Sequence, residues 1–193
     1  MNMIAMKPQV LTFALSRMKT PIGTALVATD DCGSLRVFDW EDCTDRMQRG
    51  LDRLYRAAGG VRLDARRGAA WPVRERLEAF FAGDLAAIDG IPVESAGTPF
   101  QRKVWKALRK VPAGKTWSYA QLAARIDRPA AVRAVGAANG LNPISIVVPC
   151  HRLIGSDGSL TGYGGGLHRK AWLLRHEGAI LKGQEGTRIK GAA

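Results

Sequence analysis

Apolar positions follow two periods along the chain. In the first half they alternate or cluster between turn residues. Residues 10–15 alternate weakly, Pro21-Ile22-Gly23 reads as a turn, and residues 24–29 and 34–40 read as strands joined at Asp30-Asp31-Cys32-Gly33. Over residues 42–58 the period becomes helical, with Met47, Leu51, Leu54 and Tyr55 on one face and Gly59-Gly60 closing the element. A second helix is predicted from Pro72 to near Gly83. Residues 88–97, with Pro92 and two glycines, read as a boundary or linker.

The second half is predominantly helical. Thr98-Pro99-Phe100-Gln101 is a capping box with proline in the first turn, and Phe100, Val104, Leu108 and Val111 form the apolar face behind it. Pro112-Ala113-Gly114 ends that helix. A second box, Ser118 to Gln121, opens a short helix running to about Ile126, and a third helix is predicted over residues 130–139. Two short helices joined by Asp127-Arg128-Pro129 have the form of a helix-turn-helix, a pattern that any αα-hairpin shares. The third helix is thin, because Ala131, Ala134 and Gly136 carry little or no side chain and Arg133 is its one long charged residue. Such a helix suits either tight helix packing or the groove of a nucleic acid. Residues 144–148 are apolar and β-branched, and are predicted to be a buried strand ended by Pro149. Gly162-Tyr163-Gly164-Gly165-Gly166 follows, then a helix that stops at Gly178. The pattern predicts an α+β chain: an α+β scaffold over residues 10–94, a helical unit over 98–182, and a disordered tail over 183–193.

Charge separates the same two halves. Residues 1–97 hold 13 Lys+Arg against 13 Asp+Glu, and residues 98–193 hold 16 against 4, so the whole net charge of +12 lies in the second half. That half is the one expected to meet a polyanion. No apolar run is long enough to span a membrane, and residues 1–15 lack the charged start and apolar core of a signal peptide. A cytoplasmic location with reduced thiols is expected. Three cysteines make no disulfide framework, and Cys32 and Cys43 lack zinc-ligand spacing.

Cys150 carries the candidate chemistry. His151 and Arg152 follow it directly, and positive charge would favour its thiolate over the unperturbed pKa of about 8.5. Glu177 sits in the last turn of a helix, where the dipole disfavours an acid, so it faces solvent or holds a cation such as a histidine. Cys, His and Glu together activate a nucleophile: the base takes the proton and the acid orients the base. Adjacent side chains on an extended segment point opposite ways, so a water between thiol and imidazole is expected. Asn142-Pro143 makes a stiff turn whose amide can bond nearby backbone.

Pro149-Cys150-His151-Arg152, preceded by Asn142-Pro143 and followed by the glycine run and His176-Glu177-Gly178, resembles the O6-alkylguanine-DNA alkyltransferase family in its bacterial stand-alone form. The likeness covers residues 98–181 and includes the run from Arg133 to Asn139. It implies a ribonuclease H-like first domain and a winged-helix-like second domain carrying the helix-turn-helix. It implies that Cys150 accepts the alkyl group of O6-alkylguanine, with O4-alkylthymine a further candidate, after the damaged nucleotide is flipped out of double-stranded DNA. His151 would act as base, Glu177 would orient it, Asn142 would hold the turn, and Tyr119 would donate to guanine N3. Arg133 would fill the space left in the duplex, with Ala131, Ala134 and Gly136 lying along the groove. Tyr119, Leu153, Tyr163, Gly164 and Gly165 would line the pocket. The thioether product has no hydrolytic exit, so the protein would act once, as a monomer, without cofactor or metal.

The chain departs from parts of the family pattern. Gly164 stands where some members carry serine, Ser145 where some carry proline, and the three consecutive glycines 164–166 are expected to leave room for alkyl groups larger than methyl. Two rivals use the same residues: a cysteine hydrolase, and a damage sensor that binds DNA without transfer.

Overall fold

The computed structural model describes residues 10–180. Four strands form the first sheet: β1 (Leu11–Thr20), β2 (Gly23–Thr29), β3 (Leu35–Trp40) and β4 (Val61–Asp64), in the order β3-β2-β1-β4. β1 pairs antiparallel with β2, and β2 with β3, while β4 joins β1 in parallel. The Pro21–Gly23 turn closes the first hairpin, with Thr20 opposite Gly23. β4 alternates apolar and polar residues, Val61-Arg62-Leu63-Asp64, but over four positions only, too short a run to reveal it, and Val61 and Leu63 are only partly buried.

The helix expected over residues 42–58 is divided. A 3₁₀ turn at Glu41–Cys43 leads into α1 (Thr44–Tyr55), and another at Arg56–Ala58 ends at Gly59, whose φ of 87° supplies the left-handed cap. Met47, Leu51 and Tyr55 bury the predicted face of α1 against Phe13, Leu26 and Val37. α2 (Trp71–Phe81) starts with proline in its first turn. Residues 88–97 are no loose tether. Leu35 N–H donates to Pro92 O at 2.8 Å, Glu94 N–H returns to Leu35 O at 3.1 Å, and Ile88 and Ile91 are buried.

Both capping boxes form, at the start of α3 (Pro99–Leu108) and of α4 (Tyr119–Arg125). A 3₁₀ turn at Pro129–Ala131 precedes α5 (Val132–Gly140), so the third helix starts two residues later than expected. α5 presents Val135 and Ala138 to the core and Arg133, Ala134 and Ala137 to solvent. β5 (Trp117–Ser118) and β6 (Leu153–Ile154) form a short parallel pair, and α6 (Leu167–His176) closes the fold. One apolar cluster joins the halves, with Val27, Phe38 and Trp40 packed together with Val104, Leu108, Ile144 and Leu173. Among the described residues no helix is long and apolar enough to cross a membrane.

The strand expected at residues 144–148 does not form. Ile144 makes one isolated bridge to Phe38, Ser145 N–H donates to Phe38 O at 2.9 Å, and the chain then turns. Ile146 has φ 71°, a conformation that β-branched residues avoid. The apolar run reported burial correctly, since Ile144, Ile146, Val147 and Val148 are all under 5% exposed. It did not report extension, because the backbone here is satisfied by local turn bonds and one side chain rather than a ladder.

A candidate active site around Cys150

That side chain is Asn142. Its Nδ2 donates to Val148 O at 2.8 Å and Ile144 O at 3.4 Å, while its Oδ1 accepts from Ile144 N–H at 3.0 Å. The amide therefore replaces strand hydrogen bonds and holds a tight buried turn. The turn delivers Cys150 to the start of a 3₁₀ segment, Cys150–Arg152, with all three residues buried.

His151 is fully buried, and its Nε2 lies 2.8 Å from Glu177 Oε1. With an ionised carboxylate there, Nε2 carries the proton and Nδ1 is left as the basic nitrogen. Nδ1 is buried without a hydrogen-bond partner among the described residues. Arg152 closes the other side of the carboxylate: Nε donates to Glu177 Oε2 at 3.0 Å and Nη2 to Oε1 at 2.9 Å. Burial alone would raise the pKa of Glu177, but His151 and Arg152 together draw it down to about 2. Of the two places open to an acid in that last turn, Glu177 takes the buried one, holding the Arg152 cation and the His151 ring. Gly114, at φ 73°, lets the turn after α3 pass over Glu177, because a Cβ there would sit 2.8 Å from the Glu177 carbonyl.

The thiol differs from the sequence expectation. Arg152 spends its charge on Glu177 and the Val111 carbonyl. Burial, only partly offset by the Glu177 charge, lowers the pKa of His151. Burial also raises the pKa of Cys150, against the smaller opposing effects of Asn142, Lys170 and Ser145. Cys150 is thus held as a thiol, beside a buried imidazole in chain order.

The loop at residues 162–166 also departs from expectation. Its glycines do not leave a void. A Cβ on Gly164 would lie 2.7 Å from the Arg46 guanidinium, and one on Gly165 would overlap the Trp40 indole. The first half of the chain fills the space. Tyr163 buries its hydroxyl beside Trp40 and Ser145, and burial raises its pKa. Tyr119 is half-buried, its hydroxyl 3.5 Å from Thr161 O, and burial raises its pKa too, so it stays a donor. Leu153 is buried and its carbonyl accepts from Lys170. Arg133 and Ala134 on α5 are exposed, Ala131 just before it and Gly136 on it are partly exposed, and a Cβ added at Gly136 would lie 3.9 Å from the Tyr119 ring. The structure thus brings Cys150, His151, Glu177 and Asn142 into one buried cluster, with Tyr163 beside it and Arg133 outside, on the solvent face of α5. Among the described residues no group of three His, Cys, Asp or Glu side chains is placed to hold a metal ion.

Residues 99–179 match the family model described as the DNA-binding domain of 6-O-methylguanine DNA methyltransferase. A methylated-DNA–protein-cysteine methyltransferase from Salmonella typhimurium is 52% identical over 165 residues, covering 86% of this chain and 95% of that protein. The chain belongs to this methyltransferase family. One from Mycolicibacterium paratuberculosis is 56% identical over 111 residues, 55% of this chain and 67% of its own length. Mycobacterium tuberculosis OGT in complex with DNA has the same architecture, with TM-score 0.68 and 37% identity over 87% of this chain and 93% of its own. The methyltransferase of the archaeon Pyrococcus kodakaraensis, at 23% identity and TM-score 0.64, shares the fold.

Several residues of this methyltransferase escaped sequence reasoning. Lys170 is 0% exposed and donates to the carbonyls of Leu153 and Thr161. No carboxylate pairs with it among the described residues, and burial pulls its pKa down to about 8. The signal was present: Lys170, Leu173, Leu174 and Glu177 share one helical face, and a lysine on an apolar face is anomalous. Asp39, Trp40 and Arg46 had no such signal. They lie in the half that carries no net charge, and only the tertiary fold brings them to the glycine loop. Arg46 pairs with both oxygens of buried Asp39, at 2.5 and 2.7 Å.

Proposed function

We propose that this protein repairs double-stranded DNA by moving the alkyl group of O6-alkylguanine to its own Cys150, once per molecule. The observation that carries this is a buried thiol next to a neutral histidine whose far nitrogen is fixed by a buried carboxylate. Such a thiol is inert until a substrate enters, and a base is then at hand.

The residues divide the work. Arg133, on the solvent face of α5, enters the duplex, and Ala131, Ala134 and Gly136 let the helix approach. The flipped base passes between Tyr119 and the Tyr163–Gly165 loop, with Leu153 O accepting from the guanine amine and Gly164 N–H donating to O6. The thiol proton moves through a water to Nδ1 of His151. Sulfur attacks the alkyl carbon in line, the carbon–O6 bond breaks, and its electron pair leaves with guanine. The proton that guanine takes up balances the one that Cys150 lost, with Tyr119 donating at N3. Lys170 supplies positive charge beside the thiolate and holds two carbonyls of the pocket wall. Residues 98–182 bind DNA and carry the chemistry, and residues 10–94 brace the glycine loop. The protein works as a cytoplasmic monomer without a cofactor.

A hydrolase would regenerate its thiol, whereas a thioether does not hydrolyse. With a tenfold excess of O6-methylguanine DNA, transfer should stop at one methyl group per protein. Continued turnover would favour the hydrolase, and DNA binding with no transfer would favour the sensor.

A further inference from the structure

We propose that Trp40, at the end of β3, is a specificity-determining residue that sets the largest alkyl group the site accepts. The inference rests on the reading above that the Tyr163–Gly165 segment covers the flipped base.

A base with a bulky O6 substituent needs that cover to move outward. Behind it stands the Trp40 indole, in the place where a side chain at position 165 would be. The same imagined Cβ would lie 2.8 Å from the Tyr163 ring, so Trp40, Gly165 and Tyr163 are in mutual contact. Tyr163 in turn buries its hydroxyl beside Ser145, close enough to Cys150 for the two groups to influence each other's ionisation. Contact thus runs from the thiol side of the loop to an indole that belongs to the other half of the chain.

The indole cannot retreat. It is 0% exposed, Phe38 packs edge-on at 5.6 Å, and the Arg169 guanidinium lies 4.6 Å over the ring. Arg169 also donates to Gly165 O and Ile22 O, each at 2.8 Å, and pairs with Asp42 at 2.8 Å. Loop, indole and β-hairpin are tied to one cation. The buried Trp40 indole also interacts with the Tyr163 hydroxyl, so the ring is tied to the loop through Tyr163 as well as through Gly165. Here the ring edge is pressed against a backbone that only glycine permits.

A methyl group ends at its first carbon and does not test the wall. A butyl group carries three more carbons toward the loop. Trp40→Leu vacates the place beside Gly165, and Trp40→Met keeps more of the core volume with a side chain that can yield. Single-turnover transfer from O6-methylguanine and O6-butylguanine DNA is measured on the same sample, so the rate ratio is independent of the folded fraction. The butyl-to-methyl ratio should rise about tenfold in Trp40→Leu, equal to about 1.4 kcal/mol of barrier. It should rise less in Trp40→Met, and less again in Arg169→Lys, which loosens the tie on the loop but leaves the indole's volume in place. A ratio within twofold of native in both Trp40 variants overturns the proposal. Failure of the underlying function looks different: neither adduct is transferred by the unaltered protein.

Discussion

Nε2 of His151 lies 2.8 Å from Oε1 of Glu177, and both side chains are fully buried. The contact fixes the tautomer and leaves Nδ1 as the base. Glu177→Gln removes the charge that stabilises the imidazolium formed during transfer. Transfer should slow about 100-fold, with DNA affinity changed less than about twofold. Single-turnover rates and binding titrations check this. Equal losses in both would reduce Glu177 to a structural acid. The variant also leaves Arg152 buried without its partner, which costs about 3–5 kcal/mol of stability.

The same carboxylate ties stability to acid. Its pKa is about 2 in the fold, below the ordinary carboxylate value. Unfolded protein therefore binds more protons as pH falls through that window, and stability is lost with it. Denaturant midpoints should fall from about pH 4.5 toward pH 2, and the Glu177→Gln variant should show a shallower fall.

Lys170 predicts the alkaline side of the rate profile. Its pKa of about 8 means that its charge fades just above neutrality. Native transfer should decline above pH 8, and Lys170→Met should be slower at pH 7 and lack that decline. Rates across pH 6–9.5 decide it. A decline that survives in Lys170→Met assigns it to another group.

Asn142 holds three backbone groups of a buried turn. Asn142→Ala leaves Ile144 N–H unpaired and strips the Ile144 and Val148 carbonyls of their second donor, next to Ile146, already at φ 71°. The loss should be about 2–4 kcal/mol, read from denaturant unfolding. A loss under about 0.5 kcal/mol would mean that the turn does not depend on the amide.

Periodicity revealed α1 through α5 and the first hairpin because each buries one face, and capping boxes marked where α3 and α4 begin. The candidate Cys150, His151 and Glu177 set was legible for a related reason: their chemistry is unusual for their local positions. What the sequence concealed is tertiary. Residues 144–148 look like a strand because burial and extension give the same apolar run, and only Asn142 decides between them. The glycines at 164 and 165 look like open space, yet Trp40 and Arg46 fill it from more than a hundred residues away. The basic neighbours of Cys150 promised a thiolate. Arg152 was instead committed to Glu177, and burial of the sulfur outweighed what remained.

The most direct test of the central claim is the mass of the Cys150 peptide after incubation with duplex DNA carrying one O6-methylguanine. The account predicts a gain of one methyl group on Cys150, unmodified Cys32 and Cys43, and no gain anywhere in Cys150→Ala, which still binds the DNA. A methyl group on another residue, or an unmodified Cys150 in protein that has bound the damaged duplex, would contradict it.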